Sequence, residues 1–459
     1  MAKLNTKTAA EPRYTHEGAK AVKVNPHLEL RRSVMSCMLW EGEFYEDGVS
    51  IAKRIADLVP KVKPESVASL AIEARNRGKL RHVPLWLVIN MAMYNTHKRF
   101  VKDTLYEVIQ RPDELTEALS IYWKNGKKPI AVSIKKGLAK AFTKFNRYSL
   151  GKYNQNNDIK LKDVLFLCHA KPKDNEQAQL WKDLIDGSLE FPKDAWERAL
   201  SETGADKKEV WKKLLVDKKL GALALLRNLR NMLTSNIDTS LIKEALLNMS
   251  VERVLPFRFI TAARYVPKLE PELEQAMFKC LDGIEKLPGK TILVIDVSGS
   301  MSGRIGGKSE LSRLDSAAAL AILAREQCEE CVIYTTAGND YARIHNTKLL
   351  PARRGFALRD LVMNAAGKQG GGGIFLTQCL EYIHNQEPDG ADRIIVFTDE
   401  QDCDTKLSPS KADAFGINNY LVNIASYQNG IGYGKWIHID GFSEAVISFI
   451  YEYERQSFQ

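Results

Sequence analysis

Thr291-Ile292-Leu293-Val294-Ile295 is an unbroken apolar, β-branched run, and it limits the possible fold more than any other segment. A strand with one wet face alternates polar and apolar residues. A run without alternation is buried on both faces, as in a parallel sheet flanked by helices. The run also marks a change of pattern. From residue 28 to 285 apolar residues recur at spacings of three and four, in Leu28–Leu39, Pro64–Arg77, Val83–Thr96, Ser133–Phe145, Lys160–Cys168, Ala222–Met232 and Asp238–Met249. That spacing predicts helix after helix. Breakers such as Asn125-Gly126, Lys171-Pro172 and Glu202-Thr203-Gly204 fall between them. Antiparallel helix pairs in a solenoid-like stack are expected, although no fixed-period repeat is visible.

After Leu287-Pro288-Gly289-Lys290 strands and helices alternate. Helices are expected at Arg313–Cys328, near Phe356–Ala365, up to His384 and from Gly441; further strands at Val332–Thr335, Tyr341–His345, Arg393–Phe397 and Asn419–Ala425. This order argues for a doubly wound, mainly parallel sheet. The chain is therefore expected to divide into an N-terminal arm (1–27), a helical-repeat region (28–286) and an α/β unit (291–459).

Charge follows the same division. The net charge is +9, from 66 basic and 57 acidic residues. Through Lys290 there are 51 basic against 36 acidic residues, and beyond it 15 against 21. A basic front and an acidic rear imply different partners, and a polyanion suits the first. With 44% apolar and 27% charged residues, wholesale disorder is excluded. No run approaches the roughly 18 to 20 apolar residues of a membrane span, and MAKLNTKTAAEPRYTHEGAK lacks the apolar middle of a secretion signal. The cytoplasm is the expected compartment, with no membrane partner. Seven scattered cysteines argue for reduced thiols, and Cys328 with Cys331 is half a zinc spacing without its other half.

Directly after the buried run stands Asp296-Val297-Ser298-Gly299-Ser300. Ligands of open parallel sheets bind beyond the carboxyl ends of the strands. One carboxylate and two hydroxyls on a tight turn suit a hard cation such as magnesium. Asp399, beyond the strand Arg393–Phe397, would reach the same rim. The plainer alternative is that these hydroxyls cap a helix and Asp296 accepts backbone N–H bonds. A phosphatase-like use of Asp296 would want an acid two positions later, where Ser298 stands. The pattern resembles the von Willebrand factor A domain and its metal-ion-dependent adhesion site, over 291–459. The resemblance implies a divalent cation, Mg2+, on Asp296, Ser298, Ser300 and Asp399. That family places a threonine after a Gly-Gly pair, whereas here Ile374 follows Gly372-Gly373 and Thr377 is the substitute.

Between Glu117 and Asp158 there is no acidic residue and nine basic ones: Lys124, Lys127, Lys128, Lys135, Lys136, Lys140, Lys144, Arg147 and Lys152. Lys136, Lys140 and Lys144 recur every fourth residue and would share a helix face, repelling one another by a few tenths of a kcal/mol per pair, roughly, unless an anion intervenes. Phe142, Phe145, Tyr148 and Tyr153 are interleaved and could stack on unpaired bases, or else serve as core. Arg75, Arg77, Lys79, Arg81 and His82 form a second cluster, and Arg227 and Arg230 a third. Three basic patches on helical hairpins favour an RNA-binding surface over merely solvated faces.

Several segments resemble the TROVE module of the Ro ribonucleoprotein family: Leu30-Arg31-Arg32-Ser33-Val34, Leu39-Trp40-Glu41, Arg81-His82-Val83-Pro84-Leu85, Lys162-Asp163-Val164-Leu165 with His169, and Ala224-Leu225-Leu226-Arg227-Asn228-Leu229. Their order, followed by an A-type domain, carries the resemblance. It implies a HEAT-like repeat ring closed by the A domain and acting as a monomer. In that family small Y RNAs bind the outer surface, at a basic helix corresponding to Lys136–Lys152, and single-stranded 3′ ends of misfolded noncoding RNAs enter a central hole. Bacterial relatives are linked to exoribonucleases. The resemblance thus implies capture of noncoding RNA in quality control rather than catalysis. No paired acid and base, Ser/His/Asp set or P-loop ending stands out in the sequence. The alternative is a protein-binding scaffold in which a partner's carboxylate completes the metal shell of the A domain.

Overall fold

The computed structural model describes residue 14 and residues 25–35, 48–78, 80–154, 157–189, 196–201, 206–251, 254, 256–283, 285–305, 311–369, 371–405, 418–425 and 430–454, apart from 252 and 253 in the helical part and 432–435, 442–445, 448–449 and 452 near the end. The N-terminal arm (1–27) lies almost wholly outside the described residues. The first helix starts at Pro26.

Helices occupy the chain from Pro26–Met35 to Glu270–Lys279. Pro64 opens the helix Pro64–Asn76, where a missing N–H costs nothing because the first-turn donors have no helical partner anyway. Neighbours pack in the staggered manner of helical repeats: Pro64–Asn76 against both His82–Met91 and Lys98–Val108, and Lys98–Val108 against Val132–Phe142. The last of these contacts is very close. A Cβ on Gly137 would overlap Leu105, so glycine is what lets the two helices touch.

The α/β unit is a six-stranded sheet: β1 (Leu287–Asp296), β2 (Cys328–Asn339), β3 (Ile344–Leu349), β4 (Arg393–Thr398), β5 (Asn419–Asn423) and β6 (Ile437–Asp440). The order is β3-β2-β1-β4-β5-β6, parallel throughout except for β3, which runs antiparallel to β2 at one edge. The unbroken run of β1 is explained by the two cores. Ile292 and Val294 pack on one face with Leu376, Leu380 and Trp436, while Leu293 and Ile295 pack on the other with the alanine-rich helix Arg313–Glu326.

Leu293 and Ile295 also share their cluster with Leu225, Leu229, Phe259, Leu273 and Met277, so the second half of the helical array and one face of the sheet form one continuous core. Residues from Leu30 to Leu189 form a separate core. Among the described residues, the division between the two cores therefore falls between Leu189 and Trp196, which packs against the second, and not at the turn where the sequence pattern changes.

The array also returns to the sheet at its beginning. Arg32 of the first helix is 1% exposed and pairs with Glu400, which lies just past β4 and also pairs with His438 of β6. His438 Nδ1 lies 3.4 Å from Asp440 Oδ2, and Asn423 Nδ2 donates to Asp440 Oδ1 at 3.1 Å. Two cations and two anions thus neutralise one another where single charges could not be buried. Gly430 is part of the fit, because a Cβ there would strike both Glu400 and Arg32. With helix Glu270–Lys279 against helix Gly355–Lys368 at the other end, both ends of the helical array meet the α/β unit and close the chain into a ring.

Candidate functional sites

The first candidate lies where the strand order reverses, between β1 and β4. Asp296 ends β1 and Asp399 follows β4, and both are fully buried. Gly299 makes the turn possible: its N–H donates to the Gly372 carbonyl at 3.1 Å, and a Cβ there would strike the Gly371 carbonyl. The two glycine loops expected to share this rim are therefore in contact. Asp296 Oδ1 accepts from the Ser298 N–H at 2.8 Å and Oδ2 from Thr398 Oγ1 at 2.6 Å. Ser298 Oγ and Ser300 Oγ are 3.2 Å apart. Burial, and then the charge of Asp399, push the Asp296 carboxyl up to about 7.

Thr377 stands at the start of helix Leu376–Gln386, and among the described residues its buried Oγ1 has no hydrogen-bond partner. A buried hydroxyl without a partner is costly in a dry protein and is the kind of oxygen a cation would satisfy. Ile374, at the usual threonine position, is instead fully buried in the core beside β1. Arg313, which no local sequence motif marks, also reaches this rim. It is 1% exposed, and its Nη1 lies 3.4 Å from Asp399 Oδ2 and 3.3 Å from the Ser300 carbonyl. Two serine hydroxyls and two carboxylates at this rim, with the Thr377 hydroxyl on helix Leu376–Gln386, are oxygen donors of the type a hard divalent ion takes. A guanidinium already faces one of those carboxylates.

The basic clusters differ sharply from one another. Arg75 is 7% exposed, with Nη2 2.6 Å from Glu114 Oε1 and Nε donating to the Val108 carbonyl at 2.9 Å. It ties two hairpins together and does not reach a surface, which removes it from the expected RNA contacts. Arg81 bonds Asp113 at 3.0 Å and Glu117 at 2.6 Å, and His82 lies 3.5 Å from Glu117. Arg77 is exposed, and Lys79 lies outside the described residues.

The helix over the long basic stretch ends at Phe142, one turn earlier than the lysine spacing predicts, and Lys144 stands in the turn that follows. Lys140 and Lys144 nevertheless converge: each ammonium lies 4.5 Å from the centre of the Tyr106 ring. Lys140 also donates to Asp103 at 2.7 Å, which raises its pKa, whereas burial lowers that of Lys144. Lys136 is exposed, Lys135 half-buried, and Arg147 pairs with Asp183. Lys128 lies 4.5 Å from the Tyr122 ring, Lys152 5.8 Å from Tyr148 and Arg111 4.7 Å from Tyr153. Of the four interleaved aromatics, Phe142 and Phe145 are core, with Phe142 edge-on to Trp181, and cannot stack on bases. Tyr148 is 42% exposed.

Arg227 and Arg230 are exposed on helix Ala222–Thr234, whose Leu225, Leu226, Leu229 and Met232 face inward. They open on a cavity also reached by Arg258 and Tyr265. These last two lie about thirty residues downstream, in a segment with no basic run to signal them. Among the described residues no helix is long and apolar enough to cross a membrane.

The model of the TROVE domain family matches residues 186–286, the helical block whose core is continuous with the sheet. The fold is similar to that of the crystal structure of the Ro (Rsr) protein of Deinococcus radiodurans, with a TM-score of 0.60 and 17% identity, covering 94% of this chain and 100% of that one. No curated protein sequence gives a match.

Proposed function

We propose that the chain is a Ro-like TROVE protein that binds noncoding RNA: Y RNA-like molecules on an outer surface and single-stranded 3′ ends of misfolded RNAs in the central hole of the ring. The observation that carries this reading is the stretch from Tyr106 to Tyr153, where the ammonium groups of Lys128, Lys140, Lys144 and Lys152 and the guanidinium of Arg111 sit against tyrosine rings at a part-exposed surface. Ammonium groups neutralise phosphates and ring faces receive unstacked bases, which is the combination single-stranded RNA requires. The protein acts by capture and presentation in the cytoplasm, as a monomeric ring, and an exoribonuclease would take the RNA onward. A mobility-shift titration of RNAs with and without a 3′ tail tests this. Tighter binding of the tailed RNA, falling steeply with salt, is expected. Equal binding of both would end the threading idea.

The A-type unit supports a second role. Ser298, Ser300 and Thr377 would hold Mg2+, with Asp296 and Asp399 behind them, and the ion would offer an open position to a partner's carboxylate. The unpartnered Thr377 hydroxyl favours this reading. A melting-temperature rise on adding magnesium, absent in Thr377→Val, is the expected outcome. Equal melting of both proteins with and without the ion would remove the metal from the account.

A further inference from the structure

Helices Ala222–Thr234 and Phe257–Tyr265 enclose a cavity of about 330 Å3, at the small end of ligand-sized pockets. Arg227 and Arg230, one helical turn apart, enter it from one wall and Arg258 from the other. Leu226 and Leu229 form an apolar floor. Tyr265 is 41% exposed at the rim, and the Arg230 guanidinium lies 5.9 Å from its ring centre. Among the described residues that line it, none is a carboxylate. In a chain with 57 acidic residues, two exposed guanidiniums one turn apart, Arg227 and Arg230, with Arg258 across the cavity, mark a place for an anion. The ring and the floor add a second requirement, a planar apolar group, so a bare phosphate would satisfy only half of the site. A base paired within a duplex cannot offer its face to the ring, whereas an unpaired one can.

We propose that this cavity takes one unpaired nucleotide of a bound RNA strand, its phosphate on the arginines and its base against Tyr265. The proposal rests on the RNA-binding reading and adds to it a fixed subsite with a ring requirement. Its position is set by the neighbouring residue, since Arg264 pairs with Asp315 at the start of the first helix of the α/β unit. The subsite thus moves with the sheet and not with the separate core of residues 30–189.

The test uses the full chain and a hairpin RNA with a short 3′ tail, from which one tail base at a time is removed to leave the sugar and phosphate. Wild type should lose affinity on the order of tenfold at one tail position. Tyr265→Leu should lose a similar factor on intact RNA and become indifferent to that position, while Arg258→Gln weakens intact and base-lacking RNAs alike. A 4-thiouridine at that position should crosslink to the peptide containing Tyr265. Melting curves identify any variant that fails to fold, in which case Arg258→Gln and the crosslink decide. If both variants bind like wild type and crosslinks fall elsewhere, the subsite is overturned while the RNA-binding reading stands. If wild type binds no tailed RNA at all, both fall together.

Discussion

Two clusters that look alike in the sequence, Arg75 to His82 and Arg227 to Arg230, have opposite fates. In the first, Glu114, Asp113 and Glu117 arrive from a helix some 32 to 39 residues away and neutralise Arg75 and Arg81. In the second, no carboxylate among the described residues lines the cavity that the arginines share with Arg258 and Tyr265. The density of basic residues along a chain is therefore a poor guide to positive potential. What decides is whether the next hairpin delivers acids to the same place.

The contrast is easiest to break at Glu114. Glu114→Ala would leave Arg75 buried and unpaired, and a loss of about 3–5 kcal/mol is expected in urea denaturation. An unchanged midpoint would mean that Arg75 finds water or another partner, and the first cluster would then resemble the second. The clasp of Arg32, Glu400, His438 and Asp440 sharpens the same lesson, because it too consumes its charges internally. Burial opposes the charged form of His438, but Asp440 and Glu400 outweigh it and push its pKa up to about 9. A raised histidine pKa contributes stability that is fully present below the unfolded value and is lost as pH rises through the folded one. Stability should thus fall by a few kcal/mol, roughly, between pH 6.5 and above 9, and His438→Gln should flatten that part of the profile. A wild-type profile as flat as that of the variant would dismiss the histidine as a contributor. The smallest effect is on the salt dependence of RNA binding. Removing Arg227 or Arg230 should reduce the slope of log K against log salt by roughly 0.7 each, while Arg81→Gln leaves it unchanged. Equal slopes for all three variants would erase the distinction between the clusters.

Local pattern made much of this fold legible. The switch from helix to sheet, the unbroken run that became β1 and the strand-end Asp296 and Asp399 follow from period and burial alone. The expected strand near Tyr341–His345 lies a few residues later, at Ile344–Leu349, and its antiparallel direction was not readable. β6, which is only four residues long, gave no signal. Non-local facts were invisible for a plain reason: pairing of Arg75 with Glu114 or of Arg313 with Asp399 is set by how elements cross in space. The interleaved aromatics show the same limit. Phe142 and Tyr148 are six positions apart, yet one is core and the other surface, because the helix ends between them.

The clasp has a consequence for how the chain is made. Its two cations, Arg32 and His438, are 406 positions apart. At ribosomal rates of ~5–20 residues per second, the first helix waits roughly 20–80 s for the strand that secures it. Until β6 leaves the ribosome the nascent array is an open arc. Any polynucleotide lying across that arc when the seam shuts would be encircled without ever having presented a free end.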